Sequence, residues 1–323
     1  MSGTGAVPVD PVPGVSVVVP VYRSTDTLPV LVERIGVALA GVPHEVVLVD
    51  DGSPAATWAV VRELAAQHAH VVGVRLGRNA GQHSALLAGV RTARYELTAT
   101  LDDDLQNPPE ELPGLLAALT DDVDVVYGRP RGVAQRRWRR GGSNGLRTVM
   151  SGVLGVEHAA LLSSYRVFRT ALRGGFAADL GPGVSLDALL SWSTSRFTAR
   201  DVAHHDRAAG RSNYTFRRLF RFAIDIATGY SALPLQVATT VGLVTAFFGV
   251  VLLLWVLGRL LLTGSSAPGF PFLASMIAIF SGVQLMTLGV IGEYLARMHF
   301  RVMRRPSYVV AERVGRSLPE SPR

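Results

Sequence analysis

The sequence predicts an α/β protein, a mostly parallel sheet flanked by helices, joined to an interfacial helix and two transmembrane helices. Three observations carry this. Over the first 130 or so residues, β-branched runs alternate with stretches long enough for helices. Nearer the C-terminus lie two uncharged apolar runs of 23 and 22 residues, and about 20 such residues cross a bilayer core. The mean hydropathy is +0.29, high for a chain that folds in water alone.

The elements follow in order. Residues 1–14 are small and Pro-rich, without the basic start and apolar run of a signal peptide, and read as a disordered tail. Strands are expected at 15–22, 44–53, 71–76, 97–104 and 124–128, and helices at 27–40, 55–68, 81–93 and 109–120. Strands separated by helices of this length form βαβ units and a sheet covered on both faces. Ligands of such sheets bind beyond the carboxyl ends of the strands. Two acidic clusters, Asp50-Asp51 and Asp102-Asp103-Asp104, stand at such ends. The stretch up to about Ala203 reads only as mixed helix and strand.

These signals divide the chain into a globular domain at 15–215, an amphipathic surface helix at 216–234, a first span at 235–257, an external loop at 258–269, a second span at 270–291 and a tail at 292–323. Arg217, Arg218 and Arg221 precede the first span, and Arg297, Arg301, Arg304 and Arg305 follow the second, whereas the loop between them carries Arg259 alone. The excess of arginine places the globular domain and both termini on the cytoplasmic side of the inner membrane, as a multi-pass protein. The segment from Phe216 to Tyr230 spaces basic and apolar residues as a helix lying in the interface would.

Composition removes several chemistries. The chain has no cysteine, which excludes a disulfide framework, a thiolate metal site and a cysteine nucleophile. Every one of its 32 basic residues is arginine, which excludes a P-loop lysine and a lysine Schiff base. The net charge of +7 fits an anionic membrane surface, a phosphorylated substrate or nucleic acid. Nucleic acid is the weakest of these, because the basic residues sit beside the apolar runs, and the arginine-rich stretch 129–140 offers one Trp for base stacking.

Asp102-x-Asp104, displayed where a strand leaves the sheet, can hold a hard divalent cation together with a diphosphate. A solvated turn or a helix cap is the plainer reading, and the second acidic pair at a neighbouring strand end weakens it. Asp50-Asp51-Gly52-Ser53 reads either as a ribose- or base-recognition turn or as a Gly turn with a cap at Ser53. In His204-His205-Asp206-Arg207 the vicinal histidines of a strand would face opposite ways, so Arg207 as a phosphate ligand is the sharper proposal.

The segments "VSVVVPVY", "VVLVDDGS", "RNAGQHSALLAG", "LDDDLQNPPEELP", "HHDRAAGRSNYTF" and "GEYLARMHFRVMRRPSYVV" fall in the order seen in family 2 glycosyltransferases that act on polyprenyl phosphates. The chain resembles that family from about Val15 to Val310. The resemblance implies a nucleotide-binding glycosyltransferase fold of the A type, a UDP- or GDP-sugar donor, a polyprenyl phosphate acceptor in the bilayer and a divalent metal ion, Mg or Mn. It implies that Pro20, Tyr22 and Asp50 or Asp51 contact the nucleoside. Asp102, Asp104 and Gln106 would hold metal and diphosphate, Asp103 would sit at the donor, and Arg129 and Arg207 would bind phosphate. Asp104, Asp103, Arg129 and Arg207 would carry the catalysis.

The chain departs from the family pattern in places. Arg23-Ser24 stands where Asn-Glu is usual, Ser212-Asn213-Tyr214 where Ser-Lys-Tyr is usual, and Ser163-Ser164 where many members carry an acid. The resemblance implies inverting transfer of one sugar to the polyprenyl phosphate on the cytoplasmic face. The rival readings are a processive polysaccharide synthase, which needs more spans than two unless it forms a homo-oligomer, and a sugar-nucleotide-binding scaffold without turnover.

Overall fold

The computed structural model describes residues 12–131, 163–176, 185–204, 233–263, 269–302 and 306–315. It divides into two compact units. One holds the α/β elements and regains the chain at its C-terminal end; the other holds the two long apolar helices.

In the first unit, strands β1 (Val12–Val21), β2 (His44–Asp50), β3 (Val71–Leu76) and β4 (Tyr95–Thr100) alternate with helices α1 (Thr27–Ala38), α2 (Ala55–Gln67) and α3 (Gln82–Thr92). A 3-10 turn at Pro109–Glu111 leads into α4 (Leu112–Ala117), then β5 (Val125–Pro130), β6 (Arg166–Arg169), α5 (Leu186–Ser193) and β7 (Phe197–Val202). Strand β8 (Val310–Gly315) closes the unit. Among the described residues the sheet runs β7-β5-β6-β4-β1-β2-β3-β8. Strands β4, β1, β2 and β3 are mutually parallel; β6 lies antiparallel to both its neighbours, and β8 lies antiparallel to β3.

Burial explains the valine runs. Val15, Val17, Val19 and Val21 of β1 pack on one face with Leu28, Leu31 and Ile35 of α1, while Val18 packs on the other with Val47, Val49 and the α3 residues Ala85 and Leu86. A strand covered on both faces has no polar side to show, hence the continuous run rather than alternation. Pro20 sits in β1 opposite Val49, beyond the last register pair with β4 at Val18 and Thr100. Its missing N–H therefore removes no bond from that ladder.

Three boundaries differ from expectation. β1 begins at Val12, inside the segment read as a tail. The stretch 97–104 is a strand only to Thr100, so the acidic triplet lies wholly in the loop beyond it. Segment 292–323, read as a tail, continues a helix to Val302 and then supplies β8. There Glu312 accepts from the Trp58 indole at 2.9 Å and the Val309 carbonyl accepts from Gly77 N–H at 2.9 Å.

The second unit contains α6 (Leu233–Thr263) and α7 (Phe270–Val302). Both are long and apolar enough to cross a membrane. Phe247, Phe248, Leu254 and Leu262 of α6 and Leu285 and Leu295 of α7 are exposed. The two helices meet at Gly249, where a Cβ would lie 2.6 Å from the ring of Phe280. A small residue at a helix crossing lets the neighbouring ring seat against backbone.

Candidate active site

β4, β1 and β2 are adjacent and parallel, so their carboxyl ends lie side by side. Beyond them come Asp102–Asp104, Tyr22 and Asp51, and this is the edge where such sheets bind ligands. The structure ties the three loops together through side-chain hydrogen bonds. Asp103 accepts from Ser24 Oγ at 2.6 Å and from Tyr22 N–H at 3.2 Å, which joins the β4 loop to the β1 loop. Arg23 N–H donates to Ser53 Oγ at 3.1 Å, joining the β1 loop to the β2 loop. Arg23 and Leu105 hold φ of 61° and 58°, a left-handed backbone at non-glycine residues on both sides of the triplet. Such conformations persist only where surrounding bonds over-determine them.

Asp51 is buried and bidentate to backbone. It accepts from Ala80 N–H at 2.7 Å and Gly81 N–H at 2.9 Å, just ahead of α3, where negative charge suits the first turn of the helix. Burial is the main cause of its raised pKa; those two donors pull down and Asp50 pushes up. Asp50 is also buried. It accepts from Ser53 N–H at 3.1 Å on Oδ1, while Oδ2 lies 3.6 Å from Arg75 Nε and takes no hydrogen bond among the described residues. Gly52 turns this loop at φ 65°, and a Cβ there would come within 2.4 Å of Asn79 N. Glycine is thus required twice over, by conformation and by the passing 78–79 backbone.

Within the triplet, Asp102 accepts from Gln82 Nε2 at 2.7 Å and Ser164 Oγ at 2.6 Å, and Asp104 accepts from Gln106 N–H at 3.2 Å. Burial raises the Asp103 pKa most; the bonds from Ser24 and Tyr22 oppose it, and the flanking charges of Asp102 and Asp104 add to it. Three carboxylates in one turn therefore concentrate negative charge.

Pro20 is buried in β1. Arg129, at the end of β5, donates from Nε to Asp201 of β7 at 2.6 Å, so its charge is already paired. Arg207 lies outside the described residues, as do residues 132–140, Asn213 and the surface-helix segment 216–232; the last described residue before Arg207, His204, is 3.4 Å from Asn107. Ser24, Gln82 and Ser164 were not singled out from the sequence for this edge. Ser24 and Ser164 stand at departures from the family pattern, and each gives a carboxylate of the triplet a hydroxyl donor. Gln82 sits inside the motif "RNAGQHSALLAG", but nothing local says that it reaches a residue 20 positions on.

Comparison with known proteins fits this geometry. The sequence profile described as Glycosyl transferase family 2 matches residues 16–171, the span of β1 to β6. The undecaprenyl-phosphate 4-deoxy-4-formamido-L-arabinose transferase of Pectobacterium carotovorum is 33% identical over 316 residues, covering 96% of this chain and 97% of its own. The enzyme of the same name from Aeromonas hydrophila is 35% identical over 302 residues, covering 92% of each. Among solved structures, glucosyl-3-phosphoglycerate synthase from Mycobacterium tuberculosis in complex with Mg2+ and UDP superposes with a TM-score of 0.50 at 17% identity, over 67% of this chain and 78% of that one. That likeness speaks for the fold alone. With strands that deliver carboxylates to one sheet edge, and with relatives a third identical along nearly the whole length, the chain belongs to glycosyl transferase family 2.

Proposed function

We propose that the protein moves one sugar from a nucleoside-diphosphate sugar, UDP- or GDP-linked, to a polyprenyl phosphate, with inversion at the anomeric carbon. One observation carries the reading: the acidic triplet is bonded to the loop after β1, itself bonded to the loop after β2, in a chain that also holds two membrane-length helices. The relatives named above act, by their names, on undecaprenyl phosphate. A polyprenyl tail stays in the bilayer, so the site that serves its phosphate must be held at the surface.

The donor set fits a hard divalent cation. Asp102 and Asp104 offer carboxylates and Gln106 an amide oxygen, the ligand type Mg and Mn accept. Such ions ordinarily complete their coordination with substrate phosphate oxygens and water. When bound, the ion would neutralise charge on the departing diphosphate. Asp50, with a buried oxygen lacking a donor, is assigned to the nucleoside, since Asp51 is committed to the 80–81 backbone. Tyr22, which follows the register partner of Asp50 in β1, offers an exposed ring. Arg207 is assigned to the acceptor phosphate, and Arg129 only if Asp201 releases it.

The nucleophile is a phosphate oxygen. The second pKa of a phosphate monoester is about 6, so near neutral pH it attacks without a strong base. Serine at 163 and 164 is compatible with that chemistry. What the chain must supply is alignment and a place for charge. We further assign residues 15–215 to the cytoplasm, 216–234 to the membrane surface, and 235–257 and 270–291 to two spans with both termini inside.

The decisive experiment incubates the membrane-embedded protein with a panel of UDP- and GDP-sugars, undecaprenyl phosphate and Mg2+ or Mn2+, and reads the lipid product by mass. A lipid phosphate bearing one sugar is expected. Polymer would favour a processive synthase, and no product with any donor would remove the transferase reading.

A further inference from the structure

Behind the triplet, the sheet carries a chain of polar contacts that the proposed transfer does not use. Gln82 and Ser164 donate to the two separate oxygens of Asp102, at 2.7 and 2.6 Å. The Ser164 carbonyl accepts from Thr100 Oγ1 at 2.7 Å, and Thr100 Oγ1 accepts from Arg166 Nε at 3.0 Å. Arg166 Nη1 pairs directly with Asp187, which also accepts from the Tyr127 hydroxyl at 3.0 Å. Gln82 of α3 and Ser164 of the loop ahead of β6 meet the carboxylate itself, and behind Ser164 the contacts run through β4, β6, α5 and β5.

Arg166 is 1% exposed. A buried ion pair is a poor source of stability, since well-packed apolar residues often do as well in its place. It is better understood by what it orients. Donors on both oxygens hold the Asp102 carboxylate in one orientation.

We propose that Arg166, paired with Asp187, is a positioning residue that acts through Thr100 and Ser164 to fix the Asp102 carboxylate for binding the cation and diphosphate. The proposal rests on the transferase reading above. Partners behind a ligand typically matter by about 10–100-fold in affinity or activity.

Removing Arg166 itself risks the fold, because it leaves Asp187 without its cation. The test therefore uses lighter cuts in the full-length protein in lipid nanodiscs. Ser164→Ala deletes the bond to Asp102; Thr100→Val keeps the shape and deletes both bonds of Thr100; Ser164→Thr keeps a hydroxyl. Binding of UDP and of GDP in the presence of Mn2+ is measured by calorimetry, with thermal unfolding in parallel. The first two variants are expected to weaken binding about tenfold, and their combination to be no worse than the stronger single change, because both cut one chain. Ser164→Thr is expected to bind within about twofold of the parent.

A merely structural role would lower the melting temperature and leave the affinity of the folded protein unchanged. Wild-type binding by Ser164→Ala overturns the proposal while leaving the transferase reading intact. A parent protein that binds neither nucleotide with Mn2+ overturns that reading, and the proposal with it.

Discussion

The β1 strand and helix α6 are made of the same kind of residue and treat it in opposite ways. Val18 in β1 is 0% exposed, covered on both faces of the sheet. Phe247 and Leu262 in α6 are 65% and 88% exposed. In water the second arrangement forfeits about 25 cal/mol for each Å² of apolar surface left uncovered. In hydrocarbon it forfeits nothing, because the solvent is as apolar as the side chain. The contrast teaches that composition alone does not tell a core from a span; length without charge marks the candidate, and the same two regions differ in burial.

The comparison is broken most severely at the sheet edge. Asp104→Ala is expected to lower transfer at least about a hundredfold, the scale of losing a preorganised electrostatic group, while the protein still fractionates with membranes. Normal turnover by this variant would remove Asp104 from the cation site.

Next in size is the apolar helix. An exposed surface position of a helix in water tolerates most changes within about 0.5 kcal/mol, whereas arginine at the centre of a span costs about 2.5–3.5 kcal/mol. Phe247→Arg separates the two cases. It should reduce the alkali-resistant membrane fraction of the protein; an unchanged fraction would mean that α6 lies in water.

Gly249→Ala sharpens the view of the helix pair. The added methyl meets the Phe280 ring at 2.6 Å, so one side must give, at a cost of about 1–3 kcal/mol for overpacking. Cross-linking between α6 and α7 should fall, with transfer retained.

The smallest effect is a pH slope. Asp103 has its folded pKa raised above the unfolded value, chiefly by burial. The folded state therefore holds the proton more tightly, and this group lowers stability as pH rises from the ordinary carboxylate value through the raised one. Asp103→Asn removes that loss. Its melting temperature should exceed the parent's near neutral pH by more than it does below the unfolded carboxylate pKa, and a constant difference would contradict the assignment.

Much of this was legible before the structure. β-branched runs separated by helix-length stretches marked β1 to β4 and α1 to α3, because a strand buried on both faces writes a continuous apolar run into the local sequence. The acidic clusters at strand ends were legible for the same reason. The residues that hold the carboxylates were not. Ser24 reaches Asp103 across 79 positions and Ser164 reaches Asp102 across 62, and no local period records such a bond. The resemblance implies a phosphate-binding role for Arg129, and its ion pair with Asp201, 72 positions on, has no local signal either. β8 was missed because a six-residue strand with Glu312 and Arg313 in its middle resembles a solvated tail. Its burial alternates, as an edge strand's does.

The position of β8 has a consequence for biosynthesis. The ribosome finishes β3 early, but the strand that hydrogen-bonds its outer side emerges only after both apolar helices have been made. Until β8 has been made, β3 presents a row of unpaired amides and carbonyls on that side, the kind of template on which nascent chains aggregate. Completion of the sheet is thus chained to synthesis of both apolar helices, and a polypeptide truncated anywhere before Val310 leaves the ribosome with an adhesive edge.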